Sequence, residues 1–254
     1  MVNVPEIALQ GVSKRFRAGT LALDAVNCEV HRGEFVSLIG PSGCGKSTLL
    51  RIVSGLSSAT EGAVRINGMT PENARELMSF IFQDPTLLPW RTIEENVGLS
   101  LDLEHAARPQ RSERVAEMLT RVGLAHVAAR YPRELSGGMK MRASLARALL
   151  SRPRILLMDE PFGALDEITR DHMNNELMRL YEEKKWTVLF VTHSVAEAVF
   201  LSTRVLVLEA NPGRIAHDVP IDLPWPRNMA TRDLEDFEHT VLRISRMLRG
   251  VEQA

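Results

Sequence analysis

At 254 residues, with 31 basic and 32 acidic side chains, the chain suits one large α/β domain with an inserted lobe, and its formal net charge of −1 implies no broad basic surface for nucleic acid. Two cysteines, Cys28 and Cys44, are too few for a disulfide framework or a four-cysteine zinc site, and a reducing compartment suits both. No secretory leader pattern is evident and no apolar run reaches bilayer-spanning length, so any link to a membrane is expected to run through a partner.

In chain order, Ile7 to Val12, Leu21 to Val30 and Gly62 to Ile66 read as short strands, punctuated by Arg32-Gly33 and Asn67-Gly68. Phe16 follows the first of them and on its own residues reads more readily as core than as ligand. The apolar run Phe35 to Ile39 leads into Gly40-Pro41-Ser42-Gly43-Cys44-Gly45-Lys46-Ser47-Thr48, and a helical pattern from Ser47 to Ser54 follows, with Gly55 to end it. That is the strand, GxxxxGK[ST], helix order of a phosphate-binding loop. Glycines at 40, 43 and 45 let the backbone wrap phosphates, and the freed N–H groups form an anion nest at a helix N-terminus. Lys46 is placed to reach the β- and γ-phosphates and Ser47 to ligate Mg²⁺. Cys44, inside this loop, is either a tolerated small residue or a thiol whose pKa nearby N–H groups lower.

From Pro85 to about Leu150 helix formers dominate, with Val115, Met118, Leu119 and Val122 at helical spacing. Short apolar runs then return at Ile155 to Met158, Thr187 to Val191 and Arg204 to Leu208, as buried parallel strands require, with a helical pattern between the first two from Asp171 to Lys184. The spacing predicts an α/β core split by a helical insert: residues 1–84 form the first part of the core, 85–150 the helical subdomain, 151–210 the rest of the core and 211–254 a short extension. In the extension, Asp222 to Pro226 should be extended, and Phe237, Val241, Ile244 and Leu248 give a one-sided helix that docks on its own domain or on a partner.

Asp159 and Glu160 close the apolar strand Ile155 to Met158. At that strand's C-terminal end Asp159 can hold Mg²⁺ across from Ser47, and Glu160 beside it can act as general base on the attacking water. Leu135-Ser136-Gly137-Gly138-Met139 precedes an apparent helix from Arg142 to Leu150, and reads either as a second anion site or as a simple Ser136 N-cap.

GPSGCGKST, Gln83 in FQDPTLLPW, LSGGM, LLMDEP, GALD ending in Asp166, and His193 in VTHS occur in the order found in ABC transporter ATPases, and the chain resembles that family over essentially its whole length. LPWRTIEENV, LSGGM, LLMDEPFGALD and NPGRI further resemble the nitrate, sulfonate and taurine importers of the family. Met139 stands where glutamine is commoner, and Met141 where a glutamine often precedes Arg142. Neither change removes a phosphate ligand.

The resemblance implies an α/β P-loop NTPase core with a mainly parallel sheet, an N-terminal antiparallel β subdomain within residues 1–84 and an inserted α-helical subdomain, with ATP and Mg²⁺ as ligands and hydrolysis coupled to solute import. It implies that Phe16 stacks on adenine and that Gln83 joins the Mg²⁺ and water site to the insert. By the same likeness, Ser136, Gly137 and Gly138 grip ATP on a second copy of the chain in a head-to-tail dimer. Asp166 crosses that interface, and His193 contacts the γ-phosphate. Partners would be a transmembrane permease, received near Gln83 and the Pro85–Asn96 segment with Trp90 either at the contact or buried, and indirectly an extracytoplasmic solute-binding protein. The expected location is the cytoplasmic face of the inner membrane. A nucleic-acid ATPase would need a coiled-coil insert, zinc module or basic groove that is not evident, and a small-molecule kinase would leave LSGGM, Asp166 and His193 without a role.

Overall fold

The computed structural model describes residues 4–16, 19–104 and 107–253. In chain order the elements are β1 (Ile7–Arg15), β2 (Leu21–Val30), β3 (Phe35–Ile39), α1 (Lys46–Val53), β4 (Glu61–Ile66), β5 (Met78–Ile81), α2 (Ile93–Val97), α3 (Leu99–Leu103), α4 (Arg108–Arg121) and α5 (Gly137–Leu150). Then come β6 (Ile155–Asp159), α6 (Glu167–Lys184), β7 (Thr187–Val191), α7 (Val195–Leu201), β8 (Arg204–Glu209), β9 (Arg214–Pro220) and α8 (Glu235–Gln253).

The core sheet runs β5-β6-β7-β3-β8-β9, parallel except for β9, which pairs antiparallel with β8. Every residue of β3, β6 and β7 is buried, because helices or the second sheet cover both faces of these strands. One side packs on α5, α6, α7 and α8 through Phe35, Phe190, Tyr181 and Phe200, and the other on α1 and the antiparallel sheet β2-β1-β4. Helices α2 to α5 enclose a separate small core around Ile93, Val97, Leu101, Leu119 and Ala146.

Several element boundaries differ from the sequence reading. Helix α5 begins at Gly137, not Arg142, because Ser136 accepts the Met139 N–H and caps it, leaving the helix-weak glycines in the first turn. Helix α6 likewise begins at Glu167 rather than Asp171, capped by Asp166 through the Thr169 N–H at 2.9 Å. Strand β1 runs on to Arg15, with register shifts that absorb its polar end. Strands β5 and β9 were not anticipated. The first has only four residues, and the second is an edge strand with one fully buried position, Val219, so neither carries a strong apolar signal. Helix α8 docks on its own domain through Phe237 and Ile244, the simpler of the two readings of the tail.

Candidate nucleotide-binding site

Strand β3 delivers Gly40 to the C-terminal edge of the parallel sheet, where the chain must turn at once into α1. Gly40 has φ +158°, and a side chain there would meet the Leu208 carbonyl at 2.6 Å and Cys44 Sγ at 2.8 Å. Gly45, at φ +97°, caps α1 with no side-chain hydrogen bond and lies against Leu23 and the Ala22 carbonyl, which a Cβ would approach to 2.6 and 2.9 Å. Gly43, at φ +80°, has open space beside it. The loop is therefore braced on one side by β2 and β8 and bare on the other, where the N-terminal N–H groups of α1 have no side-chain cap.

The bare side forms a cleft of about 350 Å³ lined by Ser42, Gly43, Gly45, Lys46, Ser47, Thr48, Phe16, Glu160 and His193. Phe16 is exposed, not core, and its ring stands at the mouth with Lys14 Nζ 5.6 Å from its centroid. Lys46 is buried and its Nζ donates to the carbonyls of Gly40 (2.7 Å) and Pro41 (2.9 Å), so its charge is held within the loop. The Ser47 hydroxyl donates to Asp159 Oδ1 at 2.7 Å. His193 Nε2 stands 2.5 Å from Glu160 Oε2, the histidine exposed and the glutamate half-buried. Glu160 has φ +49°, a left-handed backbone uncommon for a non-glycine residue, which turns its side chain off the line of β6 and is held by its N–H donating to the Val191 carbonyl.

The residues present suit ATP and Mg²⁺. The open flank of Gly43 leaves room for a phosphate chain close to the backbone. Ser47 and Asp159 converge hard oxygen donors, and among the described residues no cluster of three or more His, Cys, Asp or Glu could hold a metal, so phosphate oxygens would complete the shell of a Mg²⁺ ion here.

Other expected residues lie elsewhere. Ser136, Gly137 and Gly138 do not line the cleft, and neither does Asp166. They form a separate group in which Gly138 packs on Thr169 Cγ2 and Gly137 faces Leu165, at the starts of α5 and α6. Asp166 is fully exposed, and the Thr169 N–H holds its carboxyl below the usual carboxylate range. Gln83 is exposed and its Nε2 lies beside Gly163, in the turn after Glu160, rather than in the cleft. Cys44 is buried against the loop, and burial outweighs nearby Lys46 to push its thiol up, opposite to the lowering that the N–H-rich loop suggested. Burial likewise pushes Cys28 up to about 11.

Several contributors escaped the sequence reading. Asn211, Thr20 and Ala22 line the cleft. Behind His193, the Thr192 hydroxyl donates to the Glu197 carboxylate and accepts the Ser194 N–H at 3.0 Å, pinning both sides of the histidine. Glu197 is buried, which raises its pKa. Asn174 of α6 is close enough to lower that pKa, although its amide makes no hydrogen bond of good geometry. Asn96, fully buried, shapes the Pro85–Asn96 segment: its Oδ1 accepts the Leu88 N–H at 2.7 Å, and its Nδ2 donates to the Leu88, Arg91 and Thr92 carbonyls. Arg147 of α5 donates to the Pro85 and Thr86 carbonyls, both at 3.0 Å. Trp90 stands outward between these anchors, 71% exposed, so the buried alternative does not hold.

Residues 23–163 match the family profile described as ABC transporter. The aliphatic sulfonates import ATP-binding protein SsuB of Bacillus licheniformis is 45% identical over 88% of this chain and 87% of its own length. SsuB of Bacillus subtilis is 44% identical over 87% of this chain and 85% of its own. Among solved structures, the ATP-binding cassette MJ0796, dimeric in a post-hydrolysis state with ADP and Pi, superposes with a TM-score of 0.77 at 34% identity, over 85% of this chain and 98% of that one. CbiO1 of Clostridium perfringens, part of the transporter complex CbiONQ, shares the fold with a TM-score of 0.79 at 22% identity, over 98% of this chain and 99% of that one.

Proposed function

The chain belongs to the ABC transporter family, as an ATP-hydrolysing subunit, and from that premise we propose that it energises import of an aliphatic sulfonate through an ATP-closed dimer of two copies. The contact between His193 and Glu160 over the phosphate loop carries the hydrolytic reading, since it places an imidazole and a carboxylate at the edge of one anion-binding cleft.

Each residue then has a definite task. Phe16 stacks on the base, and the loop N–H groups with Lys46 hold the phosphates. Ser47 and Asp159 would hold Mg²⁺, which when bound neutralises charge on the phosphate oxygens. Glu160 takes the proton of the attacking water. His193 donates to the γ-phosphate and orients Glu160, and Gln83, from its place beside the Glu160–Gly163 turn, reports the state of that turn to the helical lobe.

The separation of Ser136–Gly138 from the cleft supports the dimer. Two anion-binding surfaces that do not meet in one chain can meet when a second copy is set head to tail, with Asp166 at the seam. The exposed Trp90 on its braced loop suits a permease helix. Among the described residues no helix is long and apolar enough to cross a membrane, so the chain would be held at the cytoplasmic face by the permease, with an extracytoplasmic binding protein supplying the solute.

Two measurements test this. Light scattering on Glu160→Gln with ATP should report a dimer that dissociates when ATP is removed; a variant that stays monomeric with saturating ATP would sink the dimer. Deleting the gene should abolish growth on an alkanesulfonate as sole sulfur source but not on sulfate, and unimpaired growth would exclude the sulfonate assignment.

A further inference from the structure

A second cavity, about 390 Å³, lies away from the nucleotide cleft, at the N-terminal edge of the core sheet. Its walls come from both lobes: α4 and the end of α5 on one side, the end of α6, Trp186 and the turn carrying Arg32 on the other. Met118, Leu149, Leu180 and Trp186 make an apolar interior, and the volume falls in the range of small-molecule sites.

The rim is strongly biased in charge. Seven basic side chains line the cavity against three carboxylates, and each carboxylate already has a partner: Glu6 with Arg154 at 3.0 Å, Glu117 with Arg121 at 2.9 Å and Glu183 with Arg121 at 3.4 Å. Arg114 donates to the Leu150 carbonyl, and Lys185 lies over the Tyr181 and Trp225 rings. The side chains of Arg32, Arg152 and Lys184 have no hydrogen-bond or carboxylate partner among the described residues. Helices α5 and α6 end at this cavity and would attract some positive charge. Two helix C-termini supply only about half a negative charge each, less than the excess of four cations.

The backbone gives a second, independent sign. Arg152 (φ +53°) and Lys185 (φ +50°) both occupy the left-handed region just past a helix end, where glycine or asparagine is the unstrained choice. Two such positions on one rim both carry a cation.

We propose that this cavity binds an amphipathic organic anion, its aromatic or short-chain body against Trp186 and Leu180 and its anionic head on Arg152, Lys184 and Arg32. Such a ligand would bridge the helical lobe and the core, so its binding would bias their relative placement. The site does not depend on which solute is transported.

Titration calorimetry on the full chain tests it with naphthalene-1-sulfonate, the uncharged 1-naphthalenemethanol and inorganic sulfate as probes. One equivalent of the sulfonate should bind, unaffected by saturating ADP, while the alcohol and sulfate bind about tenfold more weakly or not at all. The double variant Arg152→Gly, Lys184→Gln should lose about tenfold in sulfonate affinity. Glycine relieves the backbone at 152, so this variant should keep its melting temperature and its ATPase activity. No saturable binding, competition by ADP, or equal affinity in the double variant would overturn the proposal. If the double variant melts early, Trp186→Leu takes its place, and unchanged sulfonate affinity there counts against the site in the same way.

Discussion

His193 Nε2 and Glu160 Oε2 stand 2.5 Å apart at the ends of two adjacent parallel strands, β7 and β6. The proposed base and the proposed γ-phosphate donor thus touch, and each helps hold the other's rotamer. Glu160→Gln should bind ATP with near-normal affinity and hydrolyse it at least ~10²-fold more slowly. His193→Ala should lose about 10²–10³ in turnover for a missing transition-state donor. Steady-state ATPase assays beside equilibrium nucleotide binding read both, and undiminished turnover of Glu160→Gln would remove Glu160 as the base.

The glycines of the phosphate loop should separate into two classes. Gly43→Ala meets no neighbour and should cost only the left-handed strain, about 1–2 kcal/mol, yet its methyl group borders the cleft and should weaken nucleotide binding. Gly45→Ala carries similar strain and also presses on Leu23 and the Ala22 carbonyl, adding roughly 1–3 kcal/mol. Denaturant melts paired with ATP titrations distinguish them: Gly43→Ala should lose mainly affinity, Gly45→Ala mainly stability.

Glu197 sets a pH dependence. Its folded-state pKa is raised, by burial first, so above the usual glutamate range the native chain keeps a proton that the unfolded chain has released. Stability from this group is complete below that range and is lost as pH rises through the folded-state value. Glu197→Gln keeps an acceptor for the Thr192 hydroxyl without the charge. Its melting temperature relative to the unsubstituted chain should therefore climb as pH rises above the usual glutamate range. A flat difference would mean that the carboxyl ionises normally.

Asn96 should matter to the permease and not to nucleotide. Asn96→Ala leaves the Leu88 N–H and the Arg91 carbonyl without their partner, at roughly 1–3 kcal/mol for each group not rescued by water, while the Leu88 and Thr92 carbonyls keep the Arg91 and Asn96 backbone N–H groups. The segment carrying Trp90 should loosen. Co-purification with the membrane subunits should fall while ATP affinity is kept, and retained co-purification would relocate the docking face.

The parts legible in the sequence were those written by neighbouring residues. Gly40 to Thr48, and Asp159 with Glu160 at the end of an all-apolar strand, state their chemistry within a few positions because a turn, a helix start and a strand end are local events. The family likeness brought Phe16 and His193 to the cleft they line, where the residues alone would have left Phe16 as core. Asn211 at the cleft, Glu197 behind His193 and Asn96 under the Trp90 loop had no such signal. Each acts through groups that only the folded chain brings near, and a lone Asn or Glu looks the same in the sequence whether it ends up solvated or buried. The start of α5 was misread for a related reason: paired glycines argue against helix by propensity, and the Ser136 cap outweighs them.

The phosphate loop leans on a segment synthesised long after it. Gly213 packs so tightly that a Cβ would come within 2.1 Å of the Cys44 carbonyl; its N–H donates to the Ala22 carbonyl and its own carbonyl accepts the Asp24 N–H. Arg214 pairs with Asp24 beside it. A nascent chain halted just after β8 would hold the whole glycine-rich motif and still lack the brace that shapes it. Nucleotide binding in this protein should therefore begin late in translation, only once residue 213 has cleared the ribosome and can brace the loop.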